Sequence, residues 1–193
     1  MSGLAPGSAL DVGSGEGGDA IWLAQQGWQV TGTDISPVAL SRAAAAATAA
    51  GVTVTWLHTD LTEEPPVGTF DLVSAQYMHL PEAQRWALHA RLAAAVAPGG
   101  TLLLVSHEEP AGHAEGHGQG HGEGHGQGHG QGHGGDQGWD MTGMFATAAE
   151  EAAALDPAEW EVLVAEHRPR TSVTPEGAEI SRPDVVVRAR RRS

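Results

Sequence analysis

Cysteine is absent from this chain of 193 residues, as are lysine and asparagine. The lack of cysteine excludes disulfide bonds, thiolate metal sites and cysteine nucleophiles. No run of apolar residues approaches the length of about 18 that a membrane-spanning helix needs, and residues 1–6 lack the basic and apolar regions of a signal peptide. We therefore expect a cytoplasmic protein with no membrane partner.

Basic side chains are scarce, since 10 arginines stand against 24 aspartates and glutamates, and the formal net charge is −14. This excess of negative charge opposes nonspecific attraction to nucleic acids and to anionic membrane surfaces. We therefore expect no nucleic-acid partner. With 40% apolar residues, the chain has enough material for one hydrophobic core and thus for one domain.

The most informative stretch is residues 9–24, ALDVGSGEGGDAIWLA. It begins as a short apolar strand, continues through four glycines and ends as the start of an apolar-faced helix. Glycine allows positive φ and a close approach of the backbone to a ligand, and the first amides of the helix would face that ligand. The stretch therefore predicts a ligand-binding turn built on Gly13, Gly15, Gly17 and Gly18.

Two ligand classes use such a turn. The pattern G-x-G-x-x-G from Gly13 to Gly18 fits a dinucleotide fingerprint. Asp11 argues instead for the second class, which consists of cationic ligands, because a carboxylate at the mouth of the strand repels a diphosphate and attracts a positive charge. Asp34 follows Gly13 by 21 residues, a spacing at which an acid can reach the hydroxyls of a ribose. It supports a nucleoside ligand of either class, although it could also be an acidic residue that only stabilises the start of the next helix.

Patterns typical of strands and helices alternate along the chain. The predicted strands cover residues 8–12, 28–33, 52–57, 70–75 and 101–105, and the predicted helices between them cover residues 19–26, 37–50 and 81–96. A further helix at 147–155 and two strands at 160–165 and 185–189 follow, with Pro169 and Pro175 in the loop between those strands. This alternation predicts an α/β fold with a doubly wound parallel sheet.

A histidine repeat divides the predicted domain. Its glycine content disfavours a helix, so residues 108–138 are expected to form a flexible insert between a core at 1–107 and the final helix and strands at 139–193. The imidazoles could bind divalent Ni, Zn or Cu weakly and without selectivity, or the repeat could be the product of replication slippage in a tolerant surface loop. The candidate metal ligands recur every four residues: His113, His117, His121, His125, His129 and His133.

Three motifs together resemble one enzyme family. D-x-G-x-G-x-G from Asp11, F-D-L-V from Phe70 and P-G-G from Pro98 resemble motif I, motif IV and the turn before strand 5 of class I S-adenosylmethionine-dependent methyltransferases. The strings VSAQYMHLP at 73–81 and LHARLAAAVAPGGTLLLVSH at 88–107 look like the small bacterial group related to tellurite-resistance and thiopurine-type methyltransferases.

The resemblance implies a Rossmann-like sheet of seven strands in the order 3-2-1-4-5-7-6, with strand 7 antiparallel. It implies S-adenosylmethionine as cofactor and a small molecule as methyl acceptor. Members of the group carry a helix before motif I that closes over the cofactor. Here the first strand begins close to Met1, so we expect this amino-terminal helix to be missing. Either the start codon is misassigned, or the chain is a natural short form with an open cleft that binds the cofactor weakly or turns over slowly.

The resemblance also implies a cofactor site. In the family, an acid after strand 3 binds the adenine amine and the next backbone N–H binds a ring nitrogen, roles that fall here to Asp60 and Leu61, although Asp60 could also be merely solvated. The predicted cofactor contacts are Asp11, Gly13, Ser14, Gly15, Gly17, Asp34, Ile35, Asp60, Leu61 and Gln76.

Catalysis of methyl transfer depends mainly on positioning, and a general base is needed only when the acceptor must lose a proton. His79 and Tyr77 are the candidates for that base because they follow a central strand, although both could equally shape the substrate pocket. His107, directly after the next strand, is a weaker candidate of the same kind.

Two other functions compete with methyl transfer. One is a non-catalytic protein that binds a nucleotide, or binds metal through its histidine repeat. The other is a nicotinamide oxidoreductase, against which Asp11, Asp60 and the P-G-G turn argue. The sequence identifies neither the acceptor nor the oligomeric state.

Overall fold

The computed structural model describes residues 3–108, 144–173, 177 and 179–193. In chain order the elements within these ranges are β1 (Ser8–Val12), α1 (Gly18–Gln25), β2 (Gln29–Asp34), α2 (Pro37–Ala49), β3 (Thr55–His58), β4 (Phe70–Gln76), α3 (Glu82–Ala94), β5 (Val96–His107), α4 (Ala148–Ala153), β6 (Trp160–Val173) and β7 (Glu179–Arg191).

The strands form one sheet in the order β3-β2-β1-β4-β5-β7-β6. The pairs from β3 to β5 are parallel, and β7 runs antiparallel to both β5 and β6. The predicted doubly wound α/β fold, its strand order and its antiparallel seventh strand are thereby confirmed.

Apolar side chains pack on both faces of this sheet because successive residues of a strand point to opposite sides. In β1, Ala9 packs in a cluster with Leu23 of α1, whereas its neighbour Leu10 packs in a second cluster with Leu88 and Leu92 of α3. Leu88 and Leu92 are fully buried. With both faces of the sheet covered, a ligand site can form where the strands end.

The predicted end of α3 and the predicted start of β5 were wrong. The helix ends at Ala94 rather than at residue 96, and Val96 pairs with Phe70 of β4. The P-G-G segment lies within the span of β5, where the register jumps from Phe70–Val96 to Leu72–Thr101. Gly99 has a φ of 79° there, so the segment is an irregularity in a strand that begins five residues earlier than predicted, at position 96 rather than 101.

The predicted lengths of the last two strands were also wrong. β6 and β7 contain 14 and 13 residues, and Pro169, predicted to lie in their loop, pairs with Pro183 inside the ladder. Proline is tolerated at that point because β6 is an edge strand and because the pairing of β7 with β5 ends at Asp184. Beyond Asp184 the two strands therefore continue as a ribbon of their own.

The predicted insert and its six histidines lie almost entirely outside the described residues. Within the part of the chain that the structure describes, no group of histidine and acidic side chains could hold a metal ion. The described helices are all too short or too polar to cross a membrane.

Candidate functional site

The glycine turn after β1 has the geometry that its sequence predicts. Gly13, Gly15 and Gly17 have φ values of 66°, 54° and 87°, in the left-handed region that favours glycine. The turn folds onto the next strand, because the backbone N–H of Ser14 donates to the carbonyl of Thr33 at 2.9 Å.

Close packing explains one of these glycines further. A Cβ at Gly17 would lie 2.7 Å from a ring carbon of Trp56 and 3.0 Å from the Cβ of Ala43, whereas a Cβ at Gly15 would have no neighbour within 4 Å. The close approach at Gly17 is therefore made by the side chains of β3 and α2. A Cβ at Gly13 would lie 2.4 Å from the sulfur of Met78.

Asp34 ties the turn to the start of α2. One carboxylate oxygen accepts from the backbone N–H of Gly15 and the other from the N–H of Ser36, each at 2.8 Å. Ser36 in turn caps α2, since its hydroxyl accepts from the N–H of Ala39 at 3.2 Å. Asp34 thus positions the backbone on both sides of it, a role that the sequence prediction did not contain.

Asp11 is a buried acid beside the turn. Its side chain is 3% exposed, and its Oδ2 atom has no hydrogen-bond partner among the described residues, nor has the hydroxyl of the adjacent Ser14. Burial raises the pKa of Asp11 to about 7, with a smaller contribution from the charge of Asp19, while a hydrogen bond from the backbone of Ala20 opposes the rise. A ligand that brings a donor or a positive charge would satisfy these two buried polar atoms.

A cleft of about 410 Å³ opens beside the turn at the carboxyl ends of β1, β2 and β4. Six predicted cofactor contacts line it, namely Gly13, Asp34, Ile35, Asp60, Leu61 and Gln76. The other predicted contacts, Asp11, Ser14, Gly15 and Gly17, adjoin the cleft without forming part of its lining. Residues that were not predicted complete the wall, among them Thr33, Thr59, Thr62, Met78, Leu80 and Gln84.

The far wall of the cleft carries Asp60 in a tight turn. Its carboxylate accepts from the backbone N–H of Thr62 at 2.9 Å and from the Thr62 hydroxyl at 2.7 Å. These hydrogen bonds lower the pKa of Asp60, so the side chain is negatively charged at neutral pH. Leu61 beside it is buried in the core at 6% exposure.

The opposite wall begins at Gln76 and Tyr77. The amide of Gln76 donates to Asp19 at 3.0 Å. Tyr77 has a φ of 54°, which is uncommon for a residue with a side chain and is enriched at functional sites. Its backbone N–H donates to the carbonyl of Val105 at 2.8 Å, so the end of β5 holds this conformation in place.

Tyr77 connects the cleft to a group of polar side chains that we name the strand-end cluster: Tyr77, His79, His107, Arg170 and Asp184. Asp184 is its centre: it accepts from the Tyr77 hydroxyl at 2.9 Å and from Nε of Arg170 at 3.0 Å, and its Oδ1 lies 3.3 Å from Nδ1 of His107. The rings of Tyr77 and His107 lie 4.5 Å apart, and those of His79 and His107 lie 5.3 Å apart in a stacked arrangement.

The cluster fixes the protonation of several members. Burial would raise the pKa of Asp184, but the hydrogen bonds from Tyr77, Arg170 and His107 outweigh it and lower that pKa. Burial, together with the Asp184 carboxylate, raises the pKa of the Tyr77 hydroxyl. Burial, with the nearby His107, lowers the pKa of His79. At neutral pH the cluster therefore holds an ionised Asp184, a protonated Tyr77 and a neutral His79.

Sequence reasoning missed Arg170 and Asp184. A signal for Asp184 does exist, because it is an acid just before the apolar run of β7. Since β7 is antiparallel to β5, residues that precede this run lie beside the carboxyl ends of β4 and β5, where α/β sheets bind ligands. Arg170 offers no comparable signal, because it lies five residues past the predicted end of its strand at residue 165, whereas the strand continues to Val173.

Comparison with known proteins places this geometry in context. Residues 9–100 match a family described as "Methyltransferase domain". Ribosomal RNA small subunit methyltransferase C of Alcanivorax borkumensis is 32% identical over 109 residues, which are 54% of this chain and 33% of that protein. The chain thus spans about a third of the length of this relative.

Two solved structures share the fold. TehB from Haemophilus influenzae aligns with a TM-score of 0.68 at 14% identity, covering 98% of this chain and 59% of that one. N-methyltransferase NodS from Bradyrhizobium japonicum WM9, in complex with S-adenosyl-L-homocysteine, aligns with a TM-score of 0.64 at 17% identity, covering 98% and 80%. Both alignments are below 25% identity, and they confirm the predicted fold.

Proposed function

We propose that the chain transfers a methyl group from S-adenosylmethionine to a small-molecule acceptor, because residues 9–100 match the methyltransferase-domain family and the sheet has the strand order that the class I resemblance implies. The observation that carries this proposal is the buried, unpaired carboxylate oxygen of Asp11 beside the glycine turn. This cofactor is cationic, and a carboxylate attracts it where it would repel a diphosphate.

The electrostatics of the turn separate the two ligand classes that the glycines leave open. Asp19 and Asp34 both contribute to the raised pKa of Asp11, so three acids stand close together around the turn. A dinucleotide would bring two further negative charges to this place. An ammonium and a sulfonium would instead relieve the repulsion among the acids, and we infer that the cofactor's amino-acid end binds here.

The rest of the cleft suits the adenosine half of the cofactor. Asp34 already accepts two backbone hydrogen bonds, but a carboxylate has about four acceptor positions and can still accept from ribose hydroxyls. Asp60 and the backbone of Leu61 are proposed to bind the adenine edge. Ile35, which is 67% exposed at the rim, would gain apolar contact with that base.

The bound cofactor supplies an activated methyl group, and the protein contributes positioning and exclusion of water. Tyr77 and Met78 line the wall of the cleft nearest the strand-end cluster. We place the acceptor on the cluster's side of this wall. His79 and Tyr77 remain proposed catalytic residues, with Tyr77 better suited to shaping the pocket because its hydroxyl donates to Asp184.

Calorimetric titration of the full chain with S-adenosylmethionine, S-adenosylhomocysteine and NADH tests the cofactor assignment. A chelator in the buffer keeps the histidine repeat free of metal. We expect the two adenosyl ligands to bind and NADH to give no heat of binding. Binding of NADH alone, or of none of the three, would contradict the proposal.

The histidine repeat supports a second, minor property. We infer weak and unselective binding of divalent transition metals from the six imidazoles of the repeat. Titration of the full chain with Ni²⁺ or Zn²⁺, compared with a chain lacking residues 112–135, should show binding only when the repeat is present. Neither the family match nor the named relatives support a non-catalytic metal-binding protein as the main function.

A further inference from the structure

The strand-end cluster adjoins the cofactor cleft through one residue. Tyr77 lines the cleft, and its hydroxyl donates to Asp184 at the centre of the cluster. The left-handed backbone of Tyr77 turns the chain at this junction, so that His79 lies over the end of β5 with its ring against that of His107. An acceptor bound next to the methyl group of the cofactor would therefore contact the strand-end cluster.

His107 has the orientation that a general base needs. Its Nδ1 atom lies 3.3 Å from Oδ1 of Asp184, a carboxylate whose hydrogen bonds keep it ionised. If Nδ1 donates its proton to this carboxylate, the other ring nitrogen, Nε2, carries a free lone pair. His107 is also partly exposed, at 34% of its side chain, so a ligand can reach it.

A second contact to Nδ1 of His107 would favour the opposite tautomer. Nη2 of Arg170 lies 3.4 Å from the same Nδ1 atom, and a bond from arginine would require Nδ1 to be the acceptor. The carboxylate contact is favoured because Arg170 already donates through Nε to both oxygens of Asp184, at 3.1 and 3.0 Å. The carboxylate oxygen is also slightly nearer to Nδ1 than the guanidinium nitrogen is, at 3.3 Å against 3.4 Å.

The other candidates fit the role less well. Tyr77 uses its proton in the bond to Asp184, and its pKa is raised by burial. Burial lowers the pKa of His79, and no hydrogen bond within the described ranges orients its ring. Of the three candidates in the strand-end cluster, His107 is the one that combines a nearby carboxylate on its ring nitrogen with access from solvent.

We propose that His107 is the general base of this site and that Asp184 is its positioning residue; the inference rests on the proposed methyltransferase function. The acceptor's lone pair forms the bond to the methyl carbon, and the carbon–sulfur bond breaks with its electron pair remaining on sulfur. The acceptor's proton passes to Nε2 of His107 and from there to water. The carboxylate of Asp184 stabilises the positive charge that the imidazole gains.

This arrangement also defines a class of acceptor. Imidazole removes protons effectively only from groups whose acidity is within a few orders of magnitude of its own, which favours a phenol over an aliphatic alcohol. The rings of Tyr77, His79 and His107 provide flat surfaces suited to an aromatic acceptor. The site is therefore assigned to a small molecule with a phenolic hydroxyl.

Nitrogen NMR of the histidine side chains tests the tautomer without any substrate. At a pH of about 8, above the ordinary titration range of imidazole, His107 should carry its proton on Nδ1, and Asp184→Asn should shift the population toward the Nε2–H form. The signal is assigned by its loss in His107→Gln. An Nε2–H tautomer in the unaltered chain would overturn the proposal.

The chain offers a matched control for this measurement. His167 and Glu108 form a second pair of this kind, with Nδ1 and Oε1 at 3.0 Å and both side chains about 40% exposed. Glu108→Gln should leave the His107 tautomer unchanged. If Glu108→Gln changes the tautomer population of His107 as much as Asp184→Asn does, the change reflects a general effect of charge. The positioning role of Asp184 would then be wrong.

A rate comparison with two phenols tests the chemistry. Catechol needs a base at pH 8, whereas 4-nitrophenol is already largely ionised. His107→Gln should reduce kcat/KM for catechol about 100-fold or more but change that for 4-nitrophenol less than 5-fold, and His167→Gln should affect neither. Equal losses for both phenols would overturn the role of His107 as base, and methylation of neither by the unaltered chain would overturn the acceptor class.

Calorimetry separates this inference from the proposed function. His107→Gln and Asp184→Asn should bind S-adenosylmethionine within about 2-fold of the unaltered chain, because neither side chain lines the cofactor cleft. Failure of the unaltered chain to bind the cofactor would refute the proposed function itself. Normal cofactor binding with an Nε2–H tautomer would refute only the assignment of His107.

Discussion

The cofactor cleft and the strand-end cluster lie side by side but are built in different ways. The glycine turn and the acids beside it, which form one wall of the cleft, come from residues 11–36, and their key contact joins Asp34 to the backbone of Gly15, 19 residues away. The cluster takes its side chains from the loop after β4, from the end of β5 and from within β6 and β7, and Tyr77 and Asp184 are 107 residues apart. The turn wall of the cleft is made by local backbone geometry, and the cluster is made by the topology of the sheet.

This difference predicts how each site fails. The cleft depends on glycine conformations and on the space beside them, so that adding one methyl group can displace the backbone. The cluster depends on charge and on hydrogen bonds between side chains, so that isosteric substitutions should alter its chemistry while leaving the fold intact. The family match, which ends at residue 100, covers the cleft and stops before His107, Arg170 and Asp184.

The sharpest test of the backbone-dependent site compares two glycines of the same turn. Gly17→Ala should lower the free energy of unfolding by about 3 kcal/mol, from the left-handed φ together with overpacking against Trp56. Gly15→Ala carries only the penalty for φ and should cost about 1 kcal/mol. Urea unfolding measures both, and equal costs would show that packing at Gly17 is unimportant.

Removal of the Asp34 carboxylate should weaken the cleft without touching the cluster. We expect Asp34→Ala to reduce the affinity for S-adenosylmethionine by about 1 to 3 kcal/mol, since a charged acceptor and two backbone hydrogen bonds are lost. Calorimetry measures the effect. Glu16→Gln, which removes an exposed ion pair with Arg42 in the same region, should change affinity very little, and unchanged affinity in Asp34→Ala would show that the ribose lies elsewhere.

Cofactor affinity should also depend on pH through Asp11. Its raised pKa of about 7 means that the carboxyl group is mostly protonated at pH 6 and mostly ionised at pH 8. A cationic ligand binds the ionised form better, so affinity should rise with pH across this range by up to about tenfold, or about 1.4 kcal/mol. Calorimetry at several pH values should show this rise, and Asp11→Asn should flatten it; a rise that persists in the variant would exclude Asp11 as its source.

The smallest effect is expected from the histidine repeat. Deletion of residues 112–135 should leave the melting temperature and the cofactor affinity nearly unchanged, because both sites are composed of residues outside that segment. Thermal unfolding and calorimetry of the shortened chain provide the measurements. A large fall in melting temperature would contradict the prediction that the repeat is a tolerated insert.

The sequence predictions were accurate for features set by local backbone preferences and inaccurate for features set by the pairing of distant strands. The bounds of β1 and the cap of α2 at Ser36 were predicted correctly, because glycine, serine and proline have strong local preferences. The starts of β3 and β5 and the lengths of β6 and β7 were not, since pairing with neighbouring strands decides where a strand begins and ends. Pro169 shows this most clearly, because a residue that indicates a loop in sequence is accommodated on an edge strand.

The sequence by itself determined the order of strands and helices, the glycine turn and the acids beside it, because periodicity and backbone conformation are local properties. The family resemblance carried by those motifs then supplied the strand order. Only the tertiary structure brought Tyr77, His107, Arg170 and Asp184 together. β7 runs antiparallel between β5 and β6, and that placement carries the start of its apolar run to the edge where β4 and β5 end. No pattern within any one segment specifies such a meeting, since it depends on which strands become neighbours.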